Sequence, residues 1–257
     1  ARLETMRMAC DPVRIGIVGK YVDHRDAYTS VVEALRHAAI GAGIDLDLAF
    51  IEAEAVEGGE WVECDGYLVP GGFGSRGWEG KVAVAKRCRE SGTPYFGICL
   101  GMQVLAVEYA RHVMGLEGAN STEINRETPY PIVSLLEEQR DMADLGGTMR
   151  LGKQPMQTKE GSRLAALYGE GVIYERHRHR YELSGDYASR LEKAGLIVSG
   201  RHATSELCEA LEVADHPWMV GVQFHPEFRS RFTGPHPLFT AFVAACQRSG
   251  AEVNPSL

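Results

Sequence analysis

Long hydrophobic runs are missing from this sequence of 257 residues. No uninterrupted apolar stretch approaches the roughly 18 residues that a membrane-spanning helix needs. The first residues, ARLETMRMACDP, lack the apolar centre of a signal peptide. We therefore expect a soluble, cytoplasmic protein with no membrane partner. Internal repeats, low-complexity segments and a Pro/Ser-rich linker are also missing, so we expect one domain.

Positive charge is scarce. The chain has 27 Lys and Arg against 35 Asp and Glu, a formal net charge of -8. A nucleic-acid-binding surface needs clustered Lys and Arg, so this balance argues against a nucleic-acid partner.

The sequence also lacks metal and disulfide spacings. The chain has six cysteines: Cys10, Cys64, Cys88, Cys99, Cys208 and Cys246. They form no C-x-x-C pair and no Cys/His metal spacing. We expect no bound metal, no disulfides, and plain reduced thiols at every position except Cys99.

Strand-like and helix-like patterns alternate in the first half. VRIGIVG (Val13–Gly19) predicts a buried strand, and the residues after it predict a helix capped by Asp26 and stopped by Gly41 and Gly43. IDLDLAFI, DGYLVP and TPYFGI predict further strands, with a helix over 79–90. This alternation predicts an α/β fold: an open, mostly parallel twisted sheet with helices on both faces and its chemistry at the C-terminal strand edge.

The second half is less regular. Polar turns separate its strand-like segments, and WMVGVQF predicts a last strand before a helix from about Pro237 to Gln247. We expect sheet extensions and loops here. The predicted organisation is a tail at 1–12, a domain at 13–250 and a C-terminal tail at 251–257.

A cysteine between two glycines is the first candidate site. Gly97-Ile98-Cys99-Leu100-Gly101 has the form G-x-C-x-G, the cysteine version of a nucleophile elbow. A sharp strand-to-helix turn strains the central residue, and glycines beside it let the turn pack tightly. The helix N-terminus then favours a thiolate. The alternative is a buried cysteine in a glycine-rich turn.

A nucleophile needs a base, and His225 is the candidate. VGVQFHPE places it at the end of an apolar strand, with Glu227 two residues later to hold the ring. The alternative is a strand-end histidine near the surface, since the His-Pro pair at His216 occurs without such a carboxylate. The elbow and the H-x-E pair together favour a Cys99, His225 and Glu227 triad.

GGFGSRG, residues 71–77, formally matches the dinucleotide pattern G-x-G-x-x-G. That pattern should open the first βαβ unit and be answered by an acid at the end of the next strand, whereas Glu90 lies on a predicted helix. A better use is an oxyanion hole, made by the backbone N–H groups of Gly72 and of Leu100, the residue after the nucleophile.

The run ERHRHRYE (Glu175–Glu182) is the one dense basic cluster. Arg176 and Arg178 are interpreted as solvated strand residues. An amino-acid substrate needs an anion for its ammonium and a cation for its carboxylate, and Glu123 with Arg180 could supply them.

These residues resemble the class I (triad) glutamine amidotransferases, which have a flavodoxin-like fold, and within them the glutaminase domain of CTP synthase. The matching motifs are VGKYV, DAYTSVVEAL, PGGFGSRG, FGICLGMQ, NSTE, TMRLG, RHRHRYE and GVQFHPEF. The resemblance implies that Cys99, His225 and Glu227 form the triad. It also implies that glutamine is held by Gly72, Leu100, Gly101, Met102, Gln103, Glu123 and Arg180.

The resemblance further implies hydrolysis of L-glutamine through a γ-glutamyl thioester, with no cofactor for that step. Its ammonia would pass to an amidoligase (synthetase) domain that aminates UTP to CTP. ATP, Mg and UTP are expected only in that domain, which has no counterpart in this sequence. GTP is expected as an allosteric activator acting near the loop of Arg76, and the full-length relatives are homotetramers.

Two alternatives stay open. One is a stand-alone γ-glutamyl hydrolase, because a triad does not reveal where the ammonia goes. The other is a regulatory module whose site is incomplete without a partner.

Overall fold

A computed structural model describes residues 12–20, 25–135, 149–169 and 171–253. Most of the two predicted tails, at residues 1–11 and 254–257, lies outside the described residues, as does Cys10. None of the described helices is long and apolar enough to cross a bilayer.

The described strands are β1 Val13–Gly19, β2 Leu46–Glu52, β3 Gly66–Val69, β4 Tyr95–Ile98, β5 Asn120–Ser121, β6 Pro131–Leu135, β7 Arg150–Thr158, β8 Val172–His179, β9 Tyr181–Leu183, β10 Leu196–His202, β11 Cys208–Val213 and β12 Met219–Val222. The described α-helices are α1 Thr29–Ala42, α2 Ala53–Glu57, α3 Trp78–Ser91, α4 Leu100–His112, α5 Arg163–Tyr168, α6 Gly185–Lys193 and α7 Pro237–Val253. The last helix therefore continues beyond the predicted end at Gln247.

The main sheet has nine of these strands, in the order β2-β1-β3-β4-β12-β11-β10-β7-β8. The pairs from β2 to β12 are parallel, and those from β12 to β8 are antiparallel. The predicted open α/β sheet is confirmed, but it is a mixed sheet and not a mostly parallel one, because four of its eight strand pairs are antiparallel. The antiparallel half is the extension expected from the second half of the chain. The described residues also form a smaller sheet with the order β5-β6-β9.

Apolar side chains cover both faces of the sheet. Along β3, Leu68 joins one hydrophobic cluster while Tyr67 and Val69 join the other, as the two-residue period of a strand requires. The first cluster includes Leu35 of α1 and Phe242 of α7, and the second takes side chains from α2, α3 and α4. Helices therefore lie on both faces, as predicted.

The start of α1 differs from the prediction. Its N-cap is Tyr28, which makes no capping hydrogen bond through its side chain. Asp26 lies in the preceding 3-10 turn, where its backbone carbonyl accepts a hydrogen bond from Thr29 Oγ1 (3.0 Å). The predicted Asp26 cap is wrong because this extra turn displaces the helix start. Gly41 lies inside the helix, which ends at Gly43 in the left-handed conformation (φ 69°).

Candidate functional site

Three adjacent parallel strands carry the candidate residues at their C-terminal ends. The nucleophile candidate Cys99 follows β4, which pairs with β3 on one side and β12 on the other. Gly71 and Gly72 follow β3, and His225 follows β12. In parallel strands these ends share one edge of the sheet, which is where open α/β folds bind ligands.

The turn at Cys99 has the strained geometry of an elbow. Cys99 has φ 53° and ψ -99°, a positive φ that side-chain-bearing residues rarely adopt. A Cβ on Gly97 would lie 2.5 Å from the Gly101 carbonyl carbon, and one on Gly101 would lie 2.2 Å from the Val69 carbonyl oxygen. Both flanking glycines are therefore required, because the start of α4 is in direct backbone contact with β4 at Gly97 and with β3 at Gly101.

Cys99 is 3% exposed and lines a cavity of about 230 Å³. Its backbone N–H donates to the carbonyl oxygen of Val222 on β12 (2.7 Å). Its side chain lies at the first turn of α4, where free N–H groups and the helix dipole favour negative charge. Its Sγ accepts a hydrogen bond from Nε2 of Gln223 (3.6 Å).

His225 and Glu227 form a close pair at the same cavity. Nδ1 of His225 donates to Oε1 of Glu227 (2.7 Å), so Nε2 is the nitrogen left for chemistry. That Nε2 is buried and forms no hydrogen bond in the described part of the chain. The backbone N–H of His225 donates to the carbonyl oxygen of Arg176 on β8 (2.7 Å), and Phe228 stacks on the ring (centroids 5.1 Å apart, 18° between planes). The ring is fixed on several sides.

Electrostatics favour the protonated ring. Burial lowers the pKa of His225, but the interactions of the imidazole with the side chains of Cys99 and Glu227 outweigh burial and raise its pKa from 6.5 to about 10. A protonated imidazole held against a buried sulfur is the resting state typical of a cysteine nucleophile and its base.

The glycine-rich loop lies against this pair. A Cβ on Gly71 would be 2.8 Å from Cε1 of His225, and one on Gly72 would be 3.4 Å from Cδ2 of Leu100. Gly72 and Leu100 also line a small cavity of about 20 Å³ together with Lys20 and Lys81. The two residues expected to provide the oxyanion hole are therefore neighbours.

Glu123 and Arg180, which were predicted to bind the charged ends of an amino-acid substrate, do not line the main cavity. Oε1 of Glu123 accepts a hydrogen bond from the N–H of Gly74 (2.8 Å) in the glycine-rich loop. Burial raises the pKa of Glu123, while that hydrogen bond and the positive charges of Lys20 and Arg180 lower it. Arg180 is near enough to act on Glu123 electrostatically, and its buried Nε has no hydrogen-bond partner among the described residues.

The other predicted glutamine-binding residues are packed inside α4. Gly101 contacts Val69, and Met102 is fully buried against Gly221 of β12. Gln103 is 3% exposed and uses its amide within the fold. Any contact of Met102 with a substrate in this arrangement would come through its backbone.

Sequence reasoning missed several residues that line the cavity or contact the sulfur, and four of them have side chains that matter for its chemistry. Tyr28, Arg178 and Phe228 line the cavity, and Gln223 contacts Cys99. Arg178 was expected to be a solvated strand residue. Gln223 and His225 are two residues apart at one strand end, and that spacing could have indicated that both face the site.

His216 differs clearly from His225. Its Nε2 donates to the backbone carbonyl of Cys88 (2.9 Å), and its Nδ1 accepts the N–H of Trp218 (3.1 Å). Both ring nitrogens are used to hold the fold together, which leaves none for a reaction.

Comparison with known proteins gives the class first. The sequence model for "Glutamine amidotransferase class-I" matches residues 23–245. The chain belongs to the class I glutamine amidotransferase family. A putative GMP synthase component from Thermoplasma acidophilum has the same fold, with a TM-score of 0.60 at 17% identity over 96% of this chain and 100% of that chain.

The particular relatives are CTP synthases. CTP synthase of Protochlamydia amoebophila is 54% identical over 254 residues, which cover 95% of this chain and 46% of that protein. The Chlamydia pneumoniae enzyme is 57% identical over 91% of this chain and 44% of its own length. The glutaminase domain of Trypanosoma brucei CTP synthase, solved with bound acivicin, has a TM-score of 0.85 at 36% identity and covers 92% of this chain and 94% of that chain. This chain thus corresponds to the glutaminase domain of CTP synthase and spans about half the length of the curated relatives it matches.

Proposed function

We propose that this chain hydrolyses L-glutamine to L-glutamate and ammonia through a γ-glutamyl thioester on Cys99. The observation that carries the proposal is the meeting of a strained cysteine elbow with the His225–Glu227 pair at one cavity. Membership of the class I glutamine amidotransferase family supports the same chemistry.

In the acylation step, the anionic Sγ of Cys99 attacks the γ-carboxamide carbon, and the carbonyl oxygen becomes an oxyanion. The N–H groups of Gly72 and Leu100 donate to that oxygen. Nε2 of His225 gives its proton to the departing nitrogen, the C–N bond breaks, and ammonia leaves. The products are a thioester and a neutral imidazole.

In the deacylation step, water attacks the thioester carbon and the same Nε2 takes its proton. The C–S bond then breaks, and its electron pair returns to Sγ. The γ-carboxylic acid of glutamate leaves and ionises in water. Glu227 holds the ring in one tautomer throughout both steps, because its carboxylate accepts from Nδ1.

Recognition of the substrate would use both charged ends of the amino acid. We assign the substrate ammonium to Glu123 and the substrate carboxylate to Arg180, with Gly101, Met102 and Gln103 shaping the pocket at the start of α4. The unpartnered Nε of Arg180 and the half-buried carboxylate of Glu123 support this assignment.

The ammonia acceptor belongs to the part of the relatives that this chain does not cover. We propose that an amidoligase domain receives the ammonia and aminates UTP to CTP, and that ATP, Mg and UTP bind there. We further propose a domain spanning 13–250, a cytoplasmic location and a homotetrameric full-length assembly.

GTP is proposed as an activator acting near Arg76. Arg76 already donates to Oε2 of Glu54 (2.6 Å) and Oε1 of Glu52 (2.9 Å), and its carbonyl accepts a hydrogen bond from Nζ of Lys81 (3.1 Å). A GTP phosphate would have to displace both carboxylates from this guanidinium.

Glutamate release by the purified chain tests the proposal, with Cys99→Ser as the inactive variant. Cys64→Ser is the matched control, because Cys64 is a half-buried thiol away from the cavity, and burial raises its pKa to about 11. We expect turnover in the native chain and in Cys64→Ser, and at least a thousandfold loss in Cys99→Ser. Equal activity on γ-glutamyl peptides would favour the hydrolase alternative. Turnover only with the amidoligase domain and GTP present would favour the regulatory one.

A further inference from the structure

The catalytic cysteine has a neighbour that the proposed mechanism leaves unused. Gln223 is fully buried immediately after β12, and its Nε2 lies 3.6 Å from Sγ of Cys99. A buried side-chain amide must use its donors and acceptor within the protein, since it has no water to bond. This amide directs an N–H group at the reacting sulfur.

The orientation of the amide follows from its partners. The backbone carbonyl of Tyr181 can only accept, so the amide end of Gln103 that lies 3.1 Å away must be its NH₂. The same NH₂ lies 3.3 Å from the side-chain amide of Gln223. The atom of Gln223 that faces this donor must therefore be its oxygen, Oε1. The NH₂ of Gln223 is then left to face the sulfur.

We propose that Gln223 donates a hydrogen bond to the anionic sulfur of Cys99 during catalysis, and that Gln103 is a positioning residue that keeps the donor end of Gln223 turned toward it. This inference rests on the proposed function only in treating Cys99 as the nucleophile. It also gives Gln103 a role that acts through Gln223, in addition to the expected one at the glutamine site.

The hydrogen bond matters most where the sulfur carries charge. An N–H donor favours an anionic acceptor, and a thioester sulfur is neutral and accepts weakly. During deacylation the C–S bond breaks, the electron pair moves onto Sγ, and the N–H of Gln223 meets the growing charge. The donor therefore stabilises the resting thiolate and assists the step that regenerates it.

The test measures the rate of alkylation of Cys99 by iodoacetamide against pH, using peptide mass spectrometry to separate Cys99 from the other thiols. Gln223→Met keeps the side-chain length and removes the donor. Gln103→Met removes the hydrogen bond to Oε1 of Gln223, so the side-chain amide of Gln223 is free to turn. Gln157→Met is the matched control, because Gln157 is exposed on β7. His225, the other group that sets the charge on the sulfur, is retained in every variant.

We expect Gln223→Met to move the midpoint of the pH–rate profile up by about one unit, which slows alkylation about tenfold below the midpoint. Gln103→Met should move it in the same direction by less. The double variant should have the same midpoint as Gln223→Met, because Gln103 has no effect on the sulfur once the N–H donor of Gln223 is gone. A native profile in Gln223→Met, or fully additive effects in the double variant, would overturn the inference.

A second measurement needs no substitution in the amide pair. In the native chain, the side-chain N–H signals of Gln223 should shift over the same pH range as the alkylation rate, and they should not shift in Cys99→Ser. Unchanged signals in the native chain would overturn the inference even if Gln223→Met failed to fold. Neither readout requires glutamine turnover, so a chain that shows both effects but hydrolyses no glutamine would contradict the proposed function alone.

Discussion

Adding one methyl group at Gly101 should open the elbow. Its Cβ would lie 2.2 Å from the carbonyl oxygen and 3.1 Å from the carbonyl carbon of Val69, at the end of β3. Both atoms are backbone, so neither can turn away as a side-chain end would. The substitution Gly101→Ala must therefore push the start of α4 away from β3, and with it Cys99 away from Gly72.

The loss of stability in Gly101→Ala can be estimated from the known cost of overpacking a protein core. Extra methyl groups in well-packed cores cost about 1–3 kcal/mol, and a clash with backbone belongs at the upper end. A loss of about 3 kcal/mol in a domain of this size lowers Tm by roughly 6–12 °C. Activity should fall further than stability, since a displacement of about 1 Å between nucleophile and oxyanion donors can cost about a hundredfold in rate.

The assays are thermal unfolding, and glutamate release measured at a temperature where the native chain and Gly101→Ala are both folded. Gly185→Ala is the control, because Gly185 begins α6 and a Cβ there meets nothing within 4 Å. That variant should be neutral or about 1 kcal/mol more stable, as alanine is the better helix former. A Gly101→Ala variant with native Tm and native activity would refute the packing argument for the elbow.

Three further predictions concern the same site. Glu227→Gln should reduce glutamine turnover by about 10²–10⁴ in steady-state assays, because its amide can hold the ring of His225 in the wrong tautomer; turnover within threefold of native would contradict the triad. In Cys99→Ser the pKa of His225, which burial lowers and the side chains of Cys99 and Glu227 raise to about 10, should fall in an NMR titration because a neutral serine hydroxyl interacts more weakly with a protonated ring. The protonated ring of His225 accordingly stabilises the fold fully below pH 6.5, and this contribution is lost as pH rises through about 10. An unchanged pKa of His225 in Cys99→Ser would show that Cys99 does not raise it. Tyr95→Phe should lower the free energy of unfolding, measured in urea, by about 1 kcal/mol, because the buried hydroxyl of Tyr95 donates to the carbonyl oxygen of Gly101 (2.9 Å). An unchanged free energy of unfolding would mean that this hydrogen bond does not support the elbow.

The parallel half of the fold could be predicted because its signals are local. Apolar strands such as Val13–Gly19 are buried on both faces, and the crossover between parallel strands requires a helix. The elbow could be predicted as well, since G-x-C-x-G places its steric requirement in five consecutive residues around Cys99. The strand-end position of His225 follows from the same kind of local pattern.

The antiparallel half was harder to foresee. Its strands are half-polar, as in the alternating burial of Val172–His179, and their order in the sheet depends on pairings between distant segments. The start of α1 was misplaced because a 3-10 turn and a cap look alike in sequence around Asp26. Even within the site, the contact between Gln223 and Cys99 joins residues far apart in the chain.

The central claim is that Cys99 is a nucleophile in a preformed glutamine site. The most direct measurement is intact-protein mass spectrometry after exposure to 6-diazo-5-oxonorleucine, with Cys99→Ser treated in parallel. The account predicts a single adduct on Cys99 that is lost in the variant and blocked by excess glutamine. A folded native chain that gains no adduct, or one whose adduct persists in Cys99→Ser, would contradict it.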